Sequence, residues 1–257
     1  MKVVLLAGGL GTRLRGETEF RPKPMVAIGT RPILWHIMKT YAHHGHSDFV
    51  ICLGYKGDVI RDYFLNYEVR HRAVTVTLGT GALEVHDDHG EAGWRVTLAD
   101  TGEDTRTGGR LSRVGRYLGR ERFMVTYGDG VADIDIGKLL AFHESQGKLA
   151  TLTAVRPSSR FGEVVIDNDL VQVFQEKPQV QGGWINGGFF VFEPGVIDLL
   201  AGDEESLEAS LLVKLTSLKQ LAVYQHHGFW QCMDTPREMD LLNEMWRHDK
   251  AAWAVWR

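Results

Sequence analysis

An unbroken apolar run, Val3-Val4-Leu5-Leu6-Ala7, ends directly on Gly8, Gly9 and Gly11. A strand with no polar alternation has to bury both of its faces. A mostly parallel sheet with helices on either side provides that burial. Ligands of such sheets collect at the carboxyl ends of the strands. Glycines at that point let backbone N–H groups come close to anionic oxygens. The first residues therefore point to an α/β protein with a phosphate-binding loop after its first strand.

The rest of the chain reads the same way. Asp48–Tyr55, Arg95–Leu98, Arg122–Tyr127, Leu149–Val155 and Leu221–Gln225 are expected strands, as is Val74–Leu78. Between them lie helical patterns. One has Ile33, Leu34, Ile37, Met38 and Tyr41 at helical spacing after Pro32. Others are marked by Val59, Ile60 and Tyr63, by Leu111, Val114 and Leu118, and by Ile136–Gln146. Beyond residue 155 the texture changes. Val164–Ile166, Val171–Gln175 and Phe189–Phe192 read as short strands of a small β extension. Helical stretches follow around Val196–Leu200 and Leu207–Lys219. A last helix carries Met239, Leu242, Met245 and Trp246. Trp246, Trp253 and Trp256 are expected either to form an interface or to fold back onto the core.

With 257 residues, one domain spanning 1–257 is expected. The formal charge of −4 and the lack of a basic block argue against long nucleic acid as a partner. No apolar stretch approaches the roughly 18 residues of a membrane span, so no membrane partner is expected. Cys52 and Cys232 are isolated, which suits reduced thiols, no zinc site and the cytoplasm. Residues 86–93 (HDDHGEAG) carry two histidines and three carboxylates, but their flanking glycine offers no rigid ligand geometry. A solvated turn is expected there.

Three phosphate-binding patterns compete for the glycine loop. The dinucleotide fingerprint fails because Leu14 stands where its third glycine belongs. The P-loop fails because no Gly-Lys-Ser/Thr triplet is present. In the third pattern Arg13 adds a fixed guanidinium fork. Lys23, held between Pro22 and Pro24, then brings a second cation on a stiff segment.

LAGGLGTRL followed by RPKPM resembles the signature of the sugar-1-phosphate nucleotidyltransferases. The resemblance covers essentially the whole chain. TGGRL, YGDGVAD and INGGFFV are closest to the glucose-1-phosphate cytidylyltransferase branch, and FQEKP and FWQCMDTPREMDLL agree with it. It implies a Rossmann-like, mostly parallel mixed sheet flanked by helices, with a small β extension. It also implies Mg²⁺ as cofactor, CTP (or another NTP) and a sugar 1-phosphate as partners, and a homo-oligomer.

Site residues follow from the motifs. Asp129, between Gly128 and Gly130 after an apolar strand, has the oxygen chemistry that Mg²⁺ prefers. Asp133 and Asp135 are alternatives nearby. Asp234 precedes a helix, where either it or Thr235 could be the N-cap. The resemblance pairs Asp129 with Asp234 as metal ligands. It implies that Leu6, Ala7, Gly8, Gly9, Gly11, Thr12, Arg13, Lys23, Thr105, Arg110 and Gly128 bind the nucleotide. Glu176, Lys177, Asn186 and Gly187 would bind the sugar phosphate, and Arg13, Lys23 and Lys177 would be catalytic. The alternative for Asn186 is to close a turn. The chain departs from the branch at Arg106, which replaces a common Met, at Glu163-Val164-Val165, and within Leu207–Leu215, which lacks a common proline. The competing expectations are the same reaction with dTTP, UTP or another sugar phosphate, and a non-catalytic nucleotide-sugar sensor.

Overall fold

In the computed structural model, which describes residues 1–157, 163–167, 170–175 and 183–257, seven strands pair into one central sheet. In chain order they are β1 (Lys2–Leu6), β2 (Asp48–Leu53), β3 (Arg95–Asp100), β4 (Phe123–Tyr127), β5 (Ala150–Val155), β6 (Ile185–Phe192) and β7 (Leu221–Gln225). Their spatial order is β7-β5-β6-β4-β1-β2-β3. All neighbours are parallel except β6, which runs antiparallel to both β4 and β5.

The apolar run at the start of the chain is buried on both faces, as expected. Val3 and Leu5 join one core with the Ile33–His43 helix. Val4 and Leu6 join the other with Leu111 and Val114 of the Thr107–Leu118 helix. From β1 the chain proceeds to β2 and β3 on one side, whereas β4 pairs on the other. The strand order therefore reverses at β1, and the carboxyl ends of β1 and β4 flank the crevice where such sheets bind ligands.

Several sequence expectations are corrected. Val74–Thr77 lies outside the main sheet and pairs antiparallel with Ala82–Val85. Its alternation is too polar for a strand buried on both faces. Phe189–Phe192 belongs to β6 and sits inside the main sheet rather than in the extension, which is the Glu163–Asp167 and Leu170–Gln175 hairpin. Pro194–Leu199 is a 3₁₀ turn. Leu207–Leu212 is a π-helical turn that passes into the Val213–Ser217 α-helix. Residues 86–93 are not simply solvated, because Glu91 is buried against the ammonium of Lys39 at 2.5 Å and His89 lies 3.0 Å from Glu68. The C-terminal tail folds back: Trp253 is fully buried, stacks on Phe229 and donates its indole N–H to His36.

Candidate active site

The crevice at the ends of β1 and β4 holds a cavity of about 520 Å³, within the range of small-molecule sites. Of the expected nucleotide and metal residues, Leu6, Ala7, Gly8, Gly9, Gly11, Thr12, Arg13, Lys23, Thr105, Arg110, Gly128, Asp129 and Asp234 all line it. Glu176 and Lys177 lie outside the described residues.

The phosphate end is built by close backbone packing. Gly11 has φ +61°, a conformation that favours glycine, and a Cβ there would meet the Lys23 stem at 2.9 Å. A Cβ on Gly128 would meet Pro24 at 2.9 Å. Lys23 opens a short 3₁₀ turn between its two prolines, and these glycines let the turn press against both loops. The lysine is buried at 8% exposure, with its ammonium aimed into the crevice.

There it meets two carboxylates. Lys23 Nζ donates to Asp129 Oδ2 at 2.5 Å and also to Asp234 Oδ1. Burial alone would lower the Lys23 pKa, but Asp129 and Asp234 outweigh it and raise the pKa above the usual ammonium value. Arg13, itself 72% exposed, reaches the second oxygen of Asp234 at 2.7 Å. The two aspartates are distant in sequence. They are brought together by pairing of Gly130–Ala132 with Trp230–Cys232, which the Met233 N–H extends by donating to the Asp129 carbonyl at 2.8 Å.

Local chemistry leaves Asp234 available. Thr235 is the N-cap of the Pro236–Arg247 helix, and Glu238 completes a capping box by accepting from the Asp234 and Thr235 N–H groups. Thr235→Ala is expected to destabilise the fold by about 1 kcal/mol. Urea unfolding should show a lower midpoint, and an unchanged midpoint would mean that the cap contributes nothing. The alternatives to Asp129 are engaged elsewhere. Asp133 Oδ1 is buried 2.9 Å from His226 Nε2, without a hydrogen bond between them, and Asp135 caps the Ile136–Gln146 helix through the Lys138 N–H.

Two carboxylates converging on one cation, with oxygen as the donor atom, fit a hard divalent ion that takes its remaining ligands from substrate phosphates and water. Among the described residues no group of three or more His, Cys, Asp or Glu could hold a metal without such help.

On the far wall Arg110 lines the cavity and also makes contacts within the protein. The resemblance makes it a nucleotide contact. It is buried, and its guanidinium donates to the carbonyls of Gly8, Leu53, Gly102 and Glu103 and to Thr101 Oγ1. A guanidinium committed to four backbone carbonyls holds the wall in shape. A Cβ on Gly8 would meet it at 2.1 Å.

Asn186 and Gly187 are not in the cavity lining. Asn186 Nδ2 donates to the Tyr127 phenol oxygen at 3.0 Å, and its Oδ1 accepts from the Gly188 N–H at an irregularity within β6, where no turn is formed. The Gly187 carbonyl accepts from Trp230 Nε1 at 2.8 Å. Sequence reasoning missed Tyr127, Ser206 and Glu103, which line the cavity, and Glu208, which binds Tyr127. Tyr127 reads as an ordinary strand residue and Glu208 as a helix-surface carboxylate.

The family model described as nucleotidyl transferase matches residues 2–237. The chain is 51% identical over 257 residues to the glucose-1-phosphate cytidylyltransferase of Salmonella typhi, covering 100% of both chains. It is 41% identical to the probable glucose-1-phosphate cytidylyltransferase of Bacillus subtilis (strain 168), again over 100% of both. Among solved structures, HddC from Yersinia pseudotuberculosis is similar with a TM-score of 0.70 at 25% identity, covering 95% of this chain and 99% of that one.

Proposed function

The chain belongs to the nucleotidyl transferase family, and from that premise we propose that it transfers the cytidylyl group of CTP to α-D-glucose 1-phosphate, giving CDP-glucose and pyrophosphate. A phosphate oxygen of the sugar phosphate attacks the α-phosphorus in line. The bond from that phosphorus to the bridging oxygen of pyrophosphate breaks, and its electron pair leaves with the pyrophosphate. The nucleophile is already anionic, so the step needs no general base. The difficulty is electrostatic: two anions must meet and charge must depart. Positioned cations therefore supply most of the catalysis.

The observation that carries the reading is the convergence of Lys23, Arg13, Asp129 and Asp234 in front of the glycine loop. In the proposal Gly8, Gly9 and Gly11 cradle the triphosphate, and Arg13 holds the phosphates that leave. Lys23 contacts the α-phosphate as charge develops. Lys177, with Glu176, holds the incoming sugar phosphate, and Asn186 binds a sugar hydroxyl. A divalent cation is the cofactor class such a reaction uses, and Mg²⁺ is the ion proposed. Asp129 and Asp234 would hold it, and when bound it supplies charge neutralisation between the two substrates. The free thiols Cys52 and Cys232 suit a cytoplasmic setting. Among the described residues no helix is long and apolar enough to cross a membrane. The whole of 1–257 is taken as one catalytic domain. The resemblance that carries the reaction also carries a homo-oligomer, which light scattering tests directly.

A panel of NTPs and sugar 1-phosphates, read by pyrophosphate release with Mg²⁺ present, tests the function. The fastest release is expected for CTP with glucose 1-phosphate. Release with dTTP or UTP but not CTP would overturn the base assignment. No release with any pair would favour a nucleotide-sugar sensor. Arg106, on the cavity wall and 64% exposed at its side chain, is the residue whose exchange for Met would be examined first if another base were preferred.

A further inference from the structure

Glu208 lies outside the cavity lining but is bonded to three residues that line it, and it sits in the first turn of the π-helical segment that Ser206 caps. Both of its oxygens are occupied. Oε1 accepts from the Tyr127 phenol at 2.5 Å. Oε2 accepts from Thr107 Oγ1 at 2.8 Å and from Ser206 Oγ at 2.7 Å. Thr107 opens the helix that walls the nucleotide side, and its oxygen accepts in turn from the Leu207 N–H. On the other side the Tyr127 ring packs against Gly188, where φ is +80° and a Cβ would lie 2.4 Å from the ring. The phenol oxygen accepts from Asn186 Nδ2 at 3.0 Å.

We infer that Glu208 is a positioning residue that sets the donor sense of Asn186 at the sugar side of the site, acting through Tyr127. A carboxylate only accepts hydrogen bonds. Facing it, Tyr127 must donate its one hydrogen to Glu208 and can only accept from Asn186. Asn186 must then turn its NH₂, not its carbonyl, towards the tyrosine. The Gly188 N–H requires the same orientation, because it donates to Asn186 Oδ1. Nδ2 carries a second hydrogen, and that is the one the proposed sugar role of Asn186 would give to a sugar hydroxyl.

The charge states agree. Burial would raise the Glu208 pKa, but hydrogen bonds from Tyr127, Ser206 and Thr107 hold it below the usual carboxylate value. Burial, and then the charge of Glu208, push the Tyr127 phenol up. The pair therefore keeps one polarity around neutral pH. The charged acceptor at 208 and the Gly188 N–H act together on the sense of the Asn186 amide, one through Tyr127 and one directly.

The inference rests on the proposed sugar role of Asn186, and Glu208→Gln tests it. The amide keeps a carbonyl for Thr107 and Ser206 but presents NH₂ to Tyr127, which reverses the relay without emptying it. The expected result is a KM for glucose 1-phosphate raised about tenfold, the scale of one hydrogen bond, with the KM for CTP within about twofold. In a Tyr127→Phe background the same substitution should add less than about twofold, because the link is already cut. An unchanged sugar-phosphate KM, an equal rise in both KM values, or an undiminished effect beside Tyr127→Phe would overturn the inference. A second readout does not depend on the reaction. The Asn186 side-chain amide resonance, assigned by its loss in Asn186→Ser, should move in Glu208→Gln, and an unmoved resonance also overturns the relay. If the wild-type protein makes no CDP-glucose, the proposed function fails on that result alone, and the resonance still decides the role of Glu208.

Discussion

Lys23→Ala is expected to lower turnover by about 10²–10³-fold, the scale of losing one preorganised charge contact in a transition state. The loss should persist at saturating CTP, glucose 1-phosphate and Mg²⁺, because the ammonium is proposed to act on charge that develops only during transfer. Folding should survive, since the turn that carries Lys23 is shaped by Pro22, Pro24 and the packing of Gly11 and Gly128. The structure adds a second expectation. The Lys23 ammonium lies between Asp129 and Asp234 and offsets their charge. Removing it leaves two facing carboxylates, with Arg13 on one of them. The variant should therefore bind Mn²⁺ without nucleotide at least as tightly as the wild type. Near-normal turnover would remove Lys23 from the mechanism. Weaker Mn²⁺ binding would mean that the two carboxylates do not form one cation site.

Asp129→Asn should be more damaging, with turnover reduced by about 10³-fold or more, the scale of the several kcal/mol that a catalytic metal supplies. The amide is nearly isosteric. The backbone carbonyl of residue 129 still accepts from the Met233 N–H, so the pairing that holds the two loops together is retained. Mn²⁺ binding should be lost along with activity, which separates this variant from Lys23→Ala. Retained turnover would force the metal role onto another carboxylate. The structure makes that substitution hard to arrange: Asp133 would have to leave His226, and Asp135 would have to give up its helix cap.

Parts of this site are legible in the order of residues alone. Lys23 between two prolines declares a held cation, because a proline restricts its own backbone and that of its neighbour. The strand that ends on Gly8, Gly9 and Gly11 declares a loop at a sheet edge, because apolar continuity reports burial on both faces. Asp129 is visible for the same reason, standing after a buried strand and between glycines. Other parts are not legible. The Arg110 guanidinium serves backbone carbonyls that come from separate segments of the chain, and no local pattern announces four such partners. β6 reads as a short outlying strand because nothing in its composition reveals that it enters the main sheet antiparallel. The 86–93 turn reads as solvated because Lys39, which neutralises Glu91, lies far back in the chain.

By itself the sequence determined most strands and helices around β1, the loop that follows it, the stiff mount of Lys23 and the chemistry of the two aspartates. These are properties of neighbouring residues: periodicity, backbone restriction and side-chain type. Only the tertiary structure decided that Asp129 and Asp234 share one ammonium, that Thr235 rather than Asp234 caps its helix, and that Glu208 reaches Asn186 through Tyr127. A cap contested by adjacent residues is settled by the backbone path into the helix. The other contacts join groups far apart in the chain. Their hydrogen bonds exist only after the sheet has brought the carboxyl ends of β1 and β4 together, and that distance cannot be read from spacing along the sequence.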